Sequence, residues 1–104
     1  MKYLVTWRER PNGSAAEYEA AQKRVLSLFA DWEIPESVTF HQFLVRVGEF
    51  GGYAVVETDS PGDLQSLCTV YASFSFTVEP VMDVMDAVAA EHRGIDWRDA
   101  HPAT

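Results

Sequence analysis

A histidine held beside a carboxylate is the usual make-up of a general base, because the carboxylate fixes the imidazole tautomer and stabilises its charged form. His41 and Glu57 are the best candidates for such a pair in this chain of 104 residues. They flank the segment Gly48-Glu49-Phe50-Gly51-Gly52, where glycines permit a tight hairpin. A hairpin centred on Glu49-Phe50 sets His41 opposite Glu57 or its neighbour. The plainer reading is a polar cross-strand pair at a sheet edge. A register shift of one residue would send the two side chains to opposite faces.

A second constellation falls at the other end of the same strands: Trp7, Arg8, Arg46 and Tyr53, with Phe50 in the adjoining loop. Aromatic rings with a guanidinium can bind a planar or acidic small molecule by stacking and a charged hydrogen bond. Trp32 and Tyr71, on the helices, would wall such a pocket. The alternative is ordinary core and interface packing, the common use of buried aromatics.

Other chemistry has less behind it. The histidines are His41, His92 and His101, without HxxxH or CxxC spacing, so no metal site and no cofactor is expected. Gly48 to Gly52 is a hairpin and not the strand-to-helix turn of a phosphate loop. Ser73 and Ser75 lack the glycines of a nucleophile elbow. Cys68 sits among apolar residues at helical spacing and reads as a packing residue.

The elements that must position these residues follow from pattern. Lys2 to Arg8 is rich in β-branched and aromatic residues and predicts a strand, ended by Pro11-Asn12-Gly13. Ser14 and Glu17 have capping-box spacing. Tyr18, Ala21, Val25, Leu28, Phe29 and Trp32 then recur at helical spacing. Ile34-Pro35 stops that helix. Val38 to Val47 and Tyr53 to Thr58 are the second and third strands. Ser60-Pro61-Gly62-Asp63 starts a second helix, with Leu64, Leu67, Cys68 and Tyr71 inward. Phe74 to Glu79 is a fourth strand, broken by Pro80. A last helix is expected with Asp83 at its cap, Val84, Met85, Val88 and Ala89 inward, and Gly94 at its end.

This order predicts an α+β fold, the ferredoxin-like βαββαβ unit with a C-terminal helix. Right-handed crossovers give an antiparallel sheet of order 4-1-3-2. Residues 1–94 form the domain and 95–104 a polar tail. A sheet with one wet face should alternate apolar and polar residues. Tyr3-Leu4-Val5, Phe43-Leu44-Val45 and Tyr53-Ala54-Val55-Val56 do not alternate. Both faces are therefore expected to be covered, the second by another copy of the chain or by the terminal helix folding across it. The homodimer is the simpler of the two.

Composition narrows the partners. The formal charge is −8 and 47% of residues are hydrophobic, enough for a core. Nucleic acid and anionic membranes need a basic surface, so neither is expected as a partner. One cysteine allows no intrachain disulfide. The opening Met1 to Trp7 is apolar too briefly for a signal peptide or a span. A cytoplasmic protein is expected.

Three stretches together resemble a known family: Leu4-Val5-Thr6-Trp7, then Gly51-Gly52-Tyr53-Ala54-Val55-Val56-Glu57-Thr58-Asp59-Ser60-Pro61, then Phe74-Ser75-Phe76-Thr77-Val78-Glu79-Pro80-Val81. They look like a family of small bacterial proteins of unknown function in the dimeric α/β-barrel superfamily. The resemblance reaches about Asp86 and implies a dimeric barrel. That superfamily includes cofactor-independent monooxygenases, isomerases, cyclases, haem-handling proteins and non-catalytic members, and fold does not choose among them. No catalytic residue is carried over.

The residues and the resemblance together point to a small-molecule-binding dimeric protein, with catalysis open. As a cofactor-independent enzyme it would use His41 with Glu57 in acid–base chemistry and bind substrate through Trp7, Arg46, Tyr53, Trp32 and Tyr71. The alternative is a non-catalytic dimer that binds a metabolite or another protein.

Overall fold

A computed structural model describes residues 1–103. The element order is β1 (Lys2–Glu9), α1 (Ala15–Ala30), β2 (Thr39–Val45), β3 (Gly51–Glu57), α2 (Pro61–Val70), β4 (Phe74–Val81) and α3 (Val84–Ala100). The strands form one open antiparallel sheet in the order β2-β3-β1-β4, which is 4-1-3-2 counted from the β4 edge.

Both helix starts are built by their serines. Ser14 Oγ accepts the Glu17 N–H at 3.2 Å, and Ser60 Oγ accepts the Asp63 N–H at 3.2 Å. Pro61 occupies the first helical position, where its missing N–H costs nothing. The Glu17 carboxylate reaches past Ser14 and accepts the Gly13 N–H at 2.7 Å.

The sheet has two unlike faces. Val5, Trp7, Ala54, Val56 and Phe74 turn towards α1 and α2 and join Val25, Val38, Leu64, Leu67 and Tyr71 in the core. Leu4, Thr6, Tyr53, Val55 and Leu44 lie on the face that no helix covers. Leu44 is 53% exposed there.

β2 departs from regular alternation for a local reason. Thr39 pairs with Glu57 and Phe40 with Val56, but Gln42 pairs with Val55, so His41 is an extra residue in a β-bulge. The bulge shifts the parity of everything after it. Phe40 and Phe43, three residues apart, therefore both face the helices, their ring centroids 5.1 Å apart. Beside them Gly52 is required by close approach, since a Cβ there would collide with the Leu44 carbonyl.

The third helix corrects several expectations. It runs through Gly94 to Ala100, so the polar tail expected from Ile95 is helical over its first six residues. A single interior glycine costs about 1 kcal/mol relative to alanine, which seventeen helical residues can absorb. The end is instead fixed at His101, whose Nδ1–H donates to the Trp97 carbonyl at 2.8 Å while its ring stacks on the indole at 4.0 Å. None of its residues is buried: Val84 and Met85, expected inward, are 75% and 74% exposed. Asp83 gives α3 no side-chain cap; its carboxylate takes Lys2 Nζ at 2.7 Å. β4 also continues through Pro80 to Val81, as an edge strand can where the missing N–H faces outward.

α3 projects from the body. The longest dimension is 65 Å and the radius of gyration 18.9 Å, against about 13 Å for a compact domain of this size.

Candidate functional site

Between the sheet and its two covering helices lies a cavity of about 350 Å³. Small-molecule sites begin at about 300 Å³. Its floor comes from β1 (Val5, Trp7), β3 (Ala54, Val56), β2 (Phe40, Phe43) and β4 (Phe74, Phe76). Its roof comes from α1 (Val25, Leu26, Phe29) and α2 (Leu64, Leu67, Cys68). Trp32 and Tyr71, each just beyond the end of its helix, complete the wall. Leu26, Phe29, Phe43 and Val45 line the cavity and yet stay 61%, 51%, 43% and 64% exposed. The mouth therefore lies between α1 and the edge strand β2.

The wall is aromatic and its rings meet edge to face, as their quadrupoles favour. Trp7 and Phe43 lie 5.2 Å apart at 75°, and Trp32 and Tyr71 lie 5.0 Å apart at 87°. Two polar atoms lie buried behind this apolar lining. Trp32 Nε1 and Tyr71 Oη are buried without a hydrogen-bond partner. Burial raises the Tyr71 pKa above its ordinary value and does the same for the Cys68 thiol, by disfavouring the charged forms. No lysine, arginine, histidine or carboxylate lines the cavity among the described residues.

The structure brings His41 and Glu57 together. His41 Nε2 lies 2.7 Å from Glu57 Oε1. The bulge supplies the geometry, since it places His41 beside a residue that pairs with Thr39. The pair sits on the uncovered face of the sheet, with side chains 41% and 51% exposed. The cavity is on the other face, so neither residue touches it.

The expected ligand-binding set is divided in the same way. Trp7, Trp32 and Tyr71 come together in the cavity. Tyr53 and Arg46 do not: the Arg46 guanidinium lies 5.3 Å over the Tyr53 ring, donates to its hydroxyl at 3.3 Å and pairs with Glu49 at 2.7 Å. Those hydrogen bonds, Tyr53 first and then Glu49, hold the Arg46 pKa above its ordinary value. Arg46 lines a separate polar groove with Glu9, Tyr18 and Glu49. The expected ligand-binding set omits Phe40 and Phe43, because a strand read as regular sends them to opposite faces; Phe29, expected on the apolar stripe of α1, also lines the cavity. No group of three or more His, Cys, Asp or Glu side chains is placed to hold a metal among the described residues. No helix is long and apolar enough to cross a membrane, again among the described residues.

Residues 1–95 match the family described as domain of unknown function DUF3303. The chain belongs to that family. The match takes in all four strands and α1 and α2, so every cavity-lining residue of this DUF3303 domain lies within it. No curated protein matches the chain.

Proposed function

We propose that this DUF3303 domain binds an apolar small molecule in the cavity between sheet and helices, and that binding rather than catalysis is the work of that site. The observation that carries the reading is the cavity itself: about 350 Å³, open at one side and walled by aromatic rings. Apolar burial drives such binding, at about 25 cal/mol for each Å² removed from water. Among the described residues the wall holds only Cys68 and Tyr71 as titratable groups, and burial keeps both protonated. Neither is activated as an acid or base near neutral pH. Titration with N-phenyl-1-naphthylamine, a neutral probe that fluoresces in apolar surroundings, tests the reading. Saturable binding of one probe per chain is expected, lost in Ala54→Phe with its circular dichroism retained. Absence of saturable binding to the unmodified protein removes it.

Acid–base catalysis is a second reading, favoured by the 2.7 Å contact between His41 and Glu57. It would take place on the uncovered face, with a substrate other than the occupant of the cavity.

The same protein is read as a cytoplasmic homodimer, the uncovered sheet faces meeting as in a dimeric α/β barrel. Leu4, Leu44, Tyr53 and Val55 supply an apolar centre to that face. α3 supports the reading independently. Most helical stability in proteins comes from packing an apolar face, and no residue of this helix is fully buried within its own chain. A second copy offers it a surface.

A further inference from the structure

We infer that the occupant of the cavity is an amphiphile with a carboxylate head. Its apolar body lies in the cavity and its head on Arg8 and Arg46, in the adjoining polar groove; this rests on the cavity being a small-molecule site. The two spaces share a wall, since Phe50 lines both. On α1, Leu26 lines the cavity and Gln22, one turn earlier, lines the groove. On the hairpin, Val45 lines the cavity and Arg46 the groove. A molecule that enters between α1 and β2 therefore has its outer end beside the groove, about one helical turn, or roughly 5 Å, beyond the mouth.

The head belongs in the groove because the cavity has nothing to pair with it. No charged side chain lines the cavity among the described residues, and a charge moved inside would lose its hydration without return. The groove has what the cavity lacks. Arg8 and Arg46 approach each other at Gly51, where a Cβ would stand 2.9 Å from Arg46 Nη2 and 3.4 Å from Arg8 Cα. Gly51 itself lines the cavity. Arg8 is exposed and makes no ion pair among the described residues. Arg46 is held by Glu49, which is 63% exposed. Such an exposed pair contributes little, so a ligand carboxylate can take the place of Glu49. A guanidinium offers that carboxylate two parallel N–H bonds. A cationic head would need Glu9 or Glu49 instead. Glu49 is already paired and one Glu9 oxygen is shut off from solvent, which leaves Arg8 as the readiest charge in the groove.

The test compares dodecanoate, 1-dodecanol and dodecylamine, which share one chain and differ in the head. Each competes with N-phenyl-1-naphthylamine on the whole chain near neutral pH. A purely apolar cavity prefers the uncharged alcohol. The unmodified protein is expected to bind dodecanoate at least about fivefold more tightly than dodecanol. That preference should shrink as salt is raised. Arg8→Gln should lower the dodecanoate-to-dodecanol ratio at least about threefold. Glu49→Gln should raise it, because Arg46 is then free for the ligand. The ratio cancels any change in the cavity that both compounds feel, and a loss of packing would not give the two variants opposite signs. If dodecanol or dodecylamine binds as well as dodecanoate, if none of the three displaces the bound probe, or if either variant leaves the ratio unchanged, the head assignment is overturned while cavity binding stands. If neither the probe nor any of the three binds, both are overturned.

Discussion

Trp32 and Tyr71 stand edge to face with ring centroids 5.0 Å apart, and neither the indole nitrogen nor the phenol oxygen has a partner. Each follows the end of its helix, so the two C-terminal ends converge to make one wall. The unpartnered phenol oxygen is a cost to the fold. Tyr71→Phe removes it and keeps the ring. The variant should be more stable than the parent by about 1 kcal/mol in urea unfolding, the scale of an unsatisfied buried hydroxyl. A loss of stability would show that the hydroxyl has a partner in solution.

The opposite sign is expected for the aliphatic side of the wall. Leu67 is 5% exposed on α2 and faces both core and cavity. Leu67→Ala should cost about 2–5 kcal/mol, the range for core leucines, because the lost contacts enlarge a void that is already there. Leu28 is only partly buried and packs against the core from its edge. Leu28→Ala should fall at the lower end of that range. Urea midpoints measured together give the order, and a larger loss at Leu28 would reverse the assignment of faces on α1.

His41 and Glu57 lie across the sheet from the cavity, and their separation from it can be tested directly. His41→Ala should leave the affinity for N-phenyl-1-naphthylamine within about twofold of the parent, since surface ion pairs contribute little and none of the cavity wall moves. A fall of tenfold or more would mean that the two faces are coupled.

Much of this arrangement was legible in the residues themselves. Ser14 and Ser60-Pro61 mark their helix starts because capping is a local matter of side chain and backbone, and both caps form. Strand order follows from handedness and short connections. The bulge at His41 was not legible, because one extra residue leaves no mark in composition and yet reverses the facing of Phe43. Gly94 misled because a glycine that ends a helix and one that is carried through it look alike without the flanking packing. The cavity was invisible for a further reason. Periodicity tells which residues face inward, but whether their volumes fill the space between layers depends on the distance between layers. The aromatic ligand set reads as one cluster in the sequence, whereas alternation along β1 and β3 splits it, Trp7 inward with Trp32 and Tyr71, Tyr53 outward with Arg46.

Alkaline pH should weaken the fold through Cys68 and Tyr71. Burial raises both pKa values above the ordinary 9.0 and 10.0. The unfolded chain therefore loses these protons at lower pH than the folded chain. Stability is fully present below the unfolded values and declines as pH rises from them towards the folded ones. Urea midpoints should be flat from pH 7 to about 8.5 and fall above about 9. In Cys68→Ala the earlier part of that fall should be absent, and in Tyr71→Phe the later part. An unchanged decline in the double variant would assign it to other groups, such as the Lys2–Asp83 pair, in which the Asp83 hydrogen bond raises the Lys2 pKa.

The uncovered face and α3 together predict the state of assembly. Leu44 and Tyr53 pair across β2 and β3 with 53% and 37% exposure, and Val84, Met85 and Trp97 on α3 stay 75%, 74% and 65% exposed. Large apolar side chains gathered on an exposed face mark an interaction surface. α1 and α2 are committed to the other face and α3 projects from the body, so the proposed cover is a second chain. A two-fold contact of the sheets satisfies this, because each Leu44 then meets the partner's apolar surface instead of solvent. Such an interface should bury more than about 1,000 Å². Light scattering at micromolar concentration should give twice the chain mass. Leu44→Glu sets two carboxylates into that contact, one from each copy, in a chain that already carries a net charge of −8. It should shift the scattering mass to that of a monomer while the far-ultraviolet circular dichroism is retained, since residue 44 faces away from the core. Trp97→Ala should weaken the dimer as well if α3 reaches across to the partner, and leave it unchanged if only the sheets meet. A monomeric parent protein at those concentrations would remove the dimer altogether.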